Sequence, residues 1–194
     1  MERQYAAFIS YRHKPLDMAV AKRLHQLIER YRVPRQLRGI RGARLGIAFR
    51  DQEELPVSVN LSDDICTALK NSEFLVVVCT PDTRGSMWVQ REITQFLQTH
   101  DHDHVLAVLT AGEPEDVFPE ALTHVGEEIV EPLAADVRAD SLGRTLRRLD
   151  HESLRLFAAF LGVPYDTLAQ REQRRKRQRR LAIAATVFCV VLGY

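Results

Sequence analysis

Residues 74–80, FLVVVCT, contain no charged side chain and are rich in β-branched residues. A strand with one face in water alternates apolar and polar positions, whereas a run this uniform is covered on both faces. It must therefore run through the middle of a sheet that has helices packed above and below it. Few folds satisfy that demand, and the rest of the chain supplies the matching parts.

Two more buried-looking strands read as YAAFISYR (5–12) and VLAVLTA (105–111). A short strand, IAF (47–49), and a weaker one, EEIVEPL (127–133), bring the number to five. Between them, DMAVAKRLHQLIERY (17–31) has apolar residues at helical spacing and stops before Pro34. LSDDICTALKNS (61–72) reads as a helix with acids in its first turn, and further helices are predicted over about 86–99 and over 141–162. GEPEDVFPEAL, after the fourth strand, reads as loop. Regular alternation of strand and helix predicts an α/β protein: a flavodoxin-like, doubly wound, five-stranded parallel sheet with a C-terminal helical extension. In such a sheet ligands bind at the carboxyl ends of the strands. Phe8 and Ile9 of the first strand are expected in the core.

Charge divides the chain further. Residues 171–180, REQRRKRQRR, hold seven basic residues and one acid, although the whole chain carries only +1. The body is therefore mildly acidic and unsuited to general nucleic-acid binding. Residues 181–194, LAIAATVFCVVLGY, follow with no charge at all. That run is shorter than the roughly 20 residues of a spanning helix. Behind a basic segment it reads as a partial transmembrane or membrane-docking segment, with the preceding domain on the inner face of the cell membrane. A nuclear-localisation or RNA-binding arm is the rival reading of the arginines. The expected organisation is a domain over 1–162, a basic helical linker over 163–180 and the apolar segment over 181–194. Cys66, Cys79 and Cys189 form no CxxC pair and no disulfide framework, and the start, MERQYAAFIS, lacks a secretory pattern. A cytoplasmic domain is expected.

The familiar nucleotide and hydrolase signatures are missing: no P-loop, no G-x-G-x-x-G, no G-x-S-x-G. HDHDH (100–104) has the composition of a metal site. Read as an extended segment, however, it sends its histidines to one face without closing a tetrahedral set, and a solvated loop is expected. His151 has no nucleophile in its motif and is expected at the surface. In SMWVQREITQF (86–96), Trp88 and Glu92 are four residues apart and share a helix face. Glu92 is either a helix-start acid favoured by the macrodipole or a carboxylate held at the mouth of a pocket.

Three segments fall at strand carboxyl ends: AFISYRH, FRDQEEL and SMWVQREI. In that order they resemble the three boxes of the Toll/interleukin-1 receptor (TIR) domain family, especially its bacterial members, over about residues 4–160. The resemblance implies the TIR fold and one of two roles. Some TIR domains cleave NAD+, whereas others only assemble. An enzyme of this type takes NAD+ as substrate and needs no metal or cofactor. Glu92 stands where the family carries its catalytic glutamate. The resemblance also implies that Ser10, Arg12, His13, Asp51 and Trp88 contact the dinucleotide or order its pocket. In its terms the protein would act in immune signalling or anti-phage defence, activated by self-association through TIR–TIR contacts. The alternative is a non-enzymatic scaffold that oligomerises or recruits partners at the membrane. Two departures from the family pattern stand out. The loop EELPVSVNL has Pro56 without a neighbouring glycine, and the connection over 32–46 is long and basic. That basic connection suits either a solvated loop or anionic lipid near the anchor.

Overall fold

The computed structural model describes residues 4–50, 61–126 and 128–174. Its strands and helices follow in the order β1 (Tyr5–Ser10), α1 (Pro15–Arg30), α2 (Arg38–Arg41), β2 (Ala48–Arg50), α3 (Leu61–Lys70), β3 (Ser72–Cys79), α4 (Met87–Phe96), β4 (Val105–Leu109), α5 (Pro114–Val117), α6 (Glu120–Thr123), β5 (His124–Val125), β6 (Glu128–Ile129), β7 (Ala134–Asp136) and α7 (Leu142–Phe160). Five strands form one parallel sheet in the order β2-β1-β3-β4-β7. This is the doubly wound arrangement expected from the sequence.

The strand pleat explains why the central runs are apolar throughout. Phe74, Val76 and Val78 of β3 enter one core with Ile9, Leu106 and Val108, beneath α1 and α7. Leu75, Val77 and Cys79 enter the other with Phe8, Ala107 and Leu109, beneath α3 and α4. Each side chain of this kind contributes roughly 1.5–3 kcal/mol when fully buried, so two-sided burial concentrates stability in β3.

The helices bury narrow stripes. Val20, Ala21, Leu24 and Ile28 of α1 face the sheet, as do Leu149, Leu156, Phe157 and Phe160 of α7. α1 starts with Pro15, whose missing N–H costs nothing in the first turn, and stops at Tyr31, where the backbone becomes extended. Before β2, Gly46 has φ +126° and a Cβ there would sit 3.0 Å from the Cβ of Ala6. Glycine allows the chain to enter the sheet tightly against β1.

The sequence reading needs correction in three places. The run EEIVEPL, described from Glu128 on, does not supply the fifth strand of the sheet. β6 pairs antiparallel with β5 in a separate ribbon, and β7 takes the sheet edge instead. The sequence of β7, AAD, lacks β-branched residues; its strand character comes from its pairing with β4 along that edge. GEPEDVFPEAL is not plain loop, since it contains α5 and the start of α6. His102–His104 form a 3-10 turn rather than an extended segment. Their neighbourhood is also less solvated than expected: His100 stacks on Phe96 with ring centroids 3.9 Å apart, and His104 packs 5.0 Å from Phe74.

Residues 165–174 are helical. Among the described residues no helix is long and apolar enough to cross a membrane. The apolar segment 181–194 lies outside them.

Candidate active site

Ser10 is the last residue of β1 and is buried. The chain then turns through Arg12 and His13 and enters α1 at Pro15. After β3 a second turn, residues 80–86, leads into α4. Thr83 organises it: its hydroxyl accepts from the Thr80 N–H at 2.9 Å and donates to the Val78 carbonyl at 3.2 Å. That turn delivers Ser86 as the N-cap of α4, where its Oγ accepts from the Val89 N–H. Capping of this kind is worth about 1 kcal/mol.

The two turns are tied together by side chains. Arg12 Nη1 donates to Ser86 Oγ at 2.9 Å, and Lys14 pairs with Asp82 at the rim. One turn into α4, Glu92 occupies the buried stripe otherwise made of Val89, Ile93 and Phe96. It is only 5% exposed, and Ser10 Oγ donates to its Oε2 at 2.5 Å. A buried carboxylate is costly unless hydrogen bonds compensate it, so its place among apolar residues calls for a reason beyond packing. Trp88, 45% exposed, lines the same small cleft as Glu92, together with Ile65, Cys66, Arg91 and Gln95. Trp88 and Glu92 line one cleft, so the shared face expected from their spacing is present.

That cleft measures about 20 Å3, room for a single water. Of the other expected residues, His13 is exposed and stands edge-on to Tyr11 with ring centroids 5.3 Å apart. Asp51 and the loop around Pro56 lie outside the described residues. His151 is exposed on α7.

Sequence reasoning missed three features of this edge. Asp17, in the first turn of α1, is 1% exposed and accepts from Thr80 Oγ1 at 3.4 Å. Burial pushes its carboxyl up to about 6; the Thr80 hydroxyl counters this, Asp82 adds to it, and Lys14 and Arg12 pull it down. Arg50, the last residue of β2 and the register partner of Ile9, is buried. The apolar run IAF just before it would have placed it at the strand end, had the strand been carried one residue further. Cys79 is a buried free thiol whose pKa is raised by burial and by the nearby Asp17 carboxylate, which makes it chemically inert.

Residues 7–146 match the family model of the TIR domain. The NAD(+) hydrolase ApTIR of Actinoplanes sp. is 40% identical over 113 residues, which is 57% of this chain and 14% of that protein. The chain thus corresponds to a small part of that relative's length. Among solved structures, the TIR domains of the activated Roq1 resistosome directly recognizing the pathogen effector XopQ align with a TM-score of 0.43 and 16% identity. That alignment covers 88% of this chain and 98% of the other.

Proposed function

The chain belongs to the TIR domain family, and from that premise we propose that it is an NAD+ glycohydrolase with Glu92 as its catalytic residue. The observation that carries this reading is the buried Glu92 carboxylate, held by Ser10 at the carboxyl edge of the sheet beside a half-exposed tryptophan. The similarity to a protein named as an NAD(+) hydrolase supports it.

The chemistry asks little of the protein. The bond from ribose C1′ to the nicotinamide nitrogen breaks, and its electron pair leaves with nicotinamide, which neutralises the ring. Protonation of the leaving group is unnecessary, so one carboxylate suffices where sugar hydrolases use two. Positive charge develops on the ribose, and a fixed carboxylate close to it lowers the barrier. Water then adds at C1′ and releases a proton, giving ADP-ribose. Internal attack by adenine, or attack by another base, would instead give a cyclised or base-exchanged product. Ser10 holds Glu92 in place, Trp88 offers a stacking face to a ring of the dinucleotide, and Arg12 offers its remaining N–H groups to the pyrophosphate. His13 and Asp51 complete the binding set.

In this reading the domain is activated by self-association, and Met87 and Trp88, exposed at the start of α4 (87% and 45%), give a neighbouring copy an apolar surface to pack against. It would serve bacterial immune signalling or anti-phage defence, on the inner face of the membrane, with residues 1–162 as the signalling domain and the segment after 180 as its attachment. The test is release of free nicotinamide from NAD+ by concentrated protein, in dispersed and assembled form, with products identified by mass spectrometry. Release that is faster in the assembled form is expected. No release in either form would leave a scaffold.

A further inference from the structure

From Arg30 to Arg50 the chain has seven arginines and no acid. Arg50 is buried at the carboxyl edge, and Arg41 is occupied by its ion pair with Glu73 and by the Phe160 carbonyl. The other five, Arg30, Arg32, Arg35, Arg38 and Arg44, are exposed. The segment is not a loose loop. Val33, Pro34, Leu37 and Leu45 are buried and peg it to the fold, and the Val33 N–H donates to the Ala43 carbonyl at 3.0 Å. A backbone bridge sets Arg32 directly opposite Arg44. Ile40 and Ile47 stand in the same segment and are 58% and 56% exposed.

This face sits at the amino ends of the strands, opposite the candidate active site. The Ile47 carbonyl accepts from the N–H of Ala6 at the start of β1, and Arg41 bonds the last residue of α7. The Tyr31 hydroxyl donates to Glu172 at 3.3 Å, which brings the helical residues 165–174 to the same end. In sequence, the basic decade and the apolar run follow from there. The length of β3, eight residues, separates the two ends by roughly 25 Å.

We propose that segment 30–47 is a docking face for an anionic phospholipid bilayer. Its arginines meet the headgroup phosphates, and Ile40 and Ile47 enter the headgroup boundary, as the apolar residues of interfacial segments do. A nucleic acid would satisfy the arginines and gain nothing from two exposed isoleucines, whereas a lipid surface uses both. Docked this way, the protein presents the cleft beside Glu92 to the solution. The inference stands apart from the catalytic reading, since it uses none of its residues.

The test uses the full chain and co-sedimentation with vesicles of phosphatidylcholine alone or mixed equally with phosphatidylglycerol. Salt-sensitive partition onto the mixed vesicles is expected. Each arginine at such a surface is worth roughly fivefold, so the triple change Arg30→Gln, Arg35→Gln and Arg44→Gln should lower partition about a hundredfold. Ile40→Asp, at an exposed position that leaves the core untouched, should lower it as well. A charge-matched control on α7, Arg144→Gln with Arg147→Gln and Arg148→Gln, should leave it within about twofold. Equal losses from the two triples would reduce the effect to bulk charge and overturn the proposal. So would undiminished binding of the first triple, which would assign attachment to the C-terminal segment alone. Tighter retention on duplex DNA than on the vesicles, abolished by the first triple, would make this a nucleic-acid face and overturn it too.

Discussion

At the scale of single residues, the short contact between Ser10 and Glu92 joins two positions that are 82 apart in sequence. Hydrogen bonds to charged groups contribute about 1.5–3 kcal/mol, so Ser10→Ala should lower kcat for nicotinamide release at least about tenfold. KM should change little, because Ser10 orients the carboxylate rather than grips the substrate, and Ser10→Thr should recover part of the loss by keeping the hydroxyl. Steady-state kinetics of the three proteins decide the point; a pure KM effect would argue that Ser10 touches substrate directly. Asp17 offers a pH-dependent counterpart. Its folded pKa of about 6 exceeds the ordinary value of about 3.9, so over that window the unfolded chain binds fewer protons and the fold loses stability as pH rises. Asp17→Asn should therefore stabilise the protein near neutral pH by about 1–3 kcal/mol, with the gain gone by about pH 4. Denaturant titrations at the two pH values check this, and a net loss of stability near neutrality would mean that the ionised form is the one the fold favours. These residues were only partly legible beforehand. The positions of Ser10, Arg12, Trp88 and Glu92 at the carboxyl side of the sheet were readable, because each falls in a segment that ends or follows an apolar strand. Asp17 was not, since its burial depends on Thr80, 63 positions away.

At the scale of elements, α4 is the device that sets the site. Its cap, Ser86, takes a hydrogen bond from Arg12 and gives α4 a fixed start beside the first turn. Ser86→Ala removes the cap and strands the guanidinium, and it should cost about 1 kcal/mol, lowering Tm by roughly 2–4 °C in a chain of this size. An unchanged melting curve would show that the cap contributes nothing here. The other elements explain where sequence reading worked. β1, β3 and β4 are buried on both faces, and burial of that kind leaves an apolar run that any reader sees. β7 is three residues long, contains two alanines and lies at an edge, so its strand character comes from pairing with β4 rather than from its own sequence. EEIVEPL carried the stronger β signal, yet its strand β6 pairs locally with β5, a turn away in sequence, rather than with the sheet. The histidine run misled in a similar way. Its alternation suggested an extended chain, while His100 and His104 are drawn inward by Phe96 and Phe74.

At the scale of the whole molecule, the parallel sheet separates two kinds of chemistry. Its carboxyl edge gathers Ser10, Arg12, Ser86 and Glu92, and its amino edge carries the exposed arginines between α1 and β2. A parallel sheet gives this polarity without further design, because every strand ends on the same side. The fold class was readable for the same reason: strand–helix alternation permits few other solutions. The pairing of the two turns across the carboxyl edge was not, since it depends on three-dimensional proximity. The central claim is that the Glu92 carboxylate stabilises the cationic ribose. Its most direct measurement is the rate of nicotinamide release from NAD+ by Glu92→Gln against the unaltered protein, at matched assembly and with equal thermal stability. Glutamine keeps the shape and can still accept from Ser10, but it carries no charge. The account predicts a fall of roughly a hundredfold or more; a variant that releases nicotinamide at the unaltered rate would contradict it.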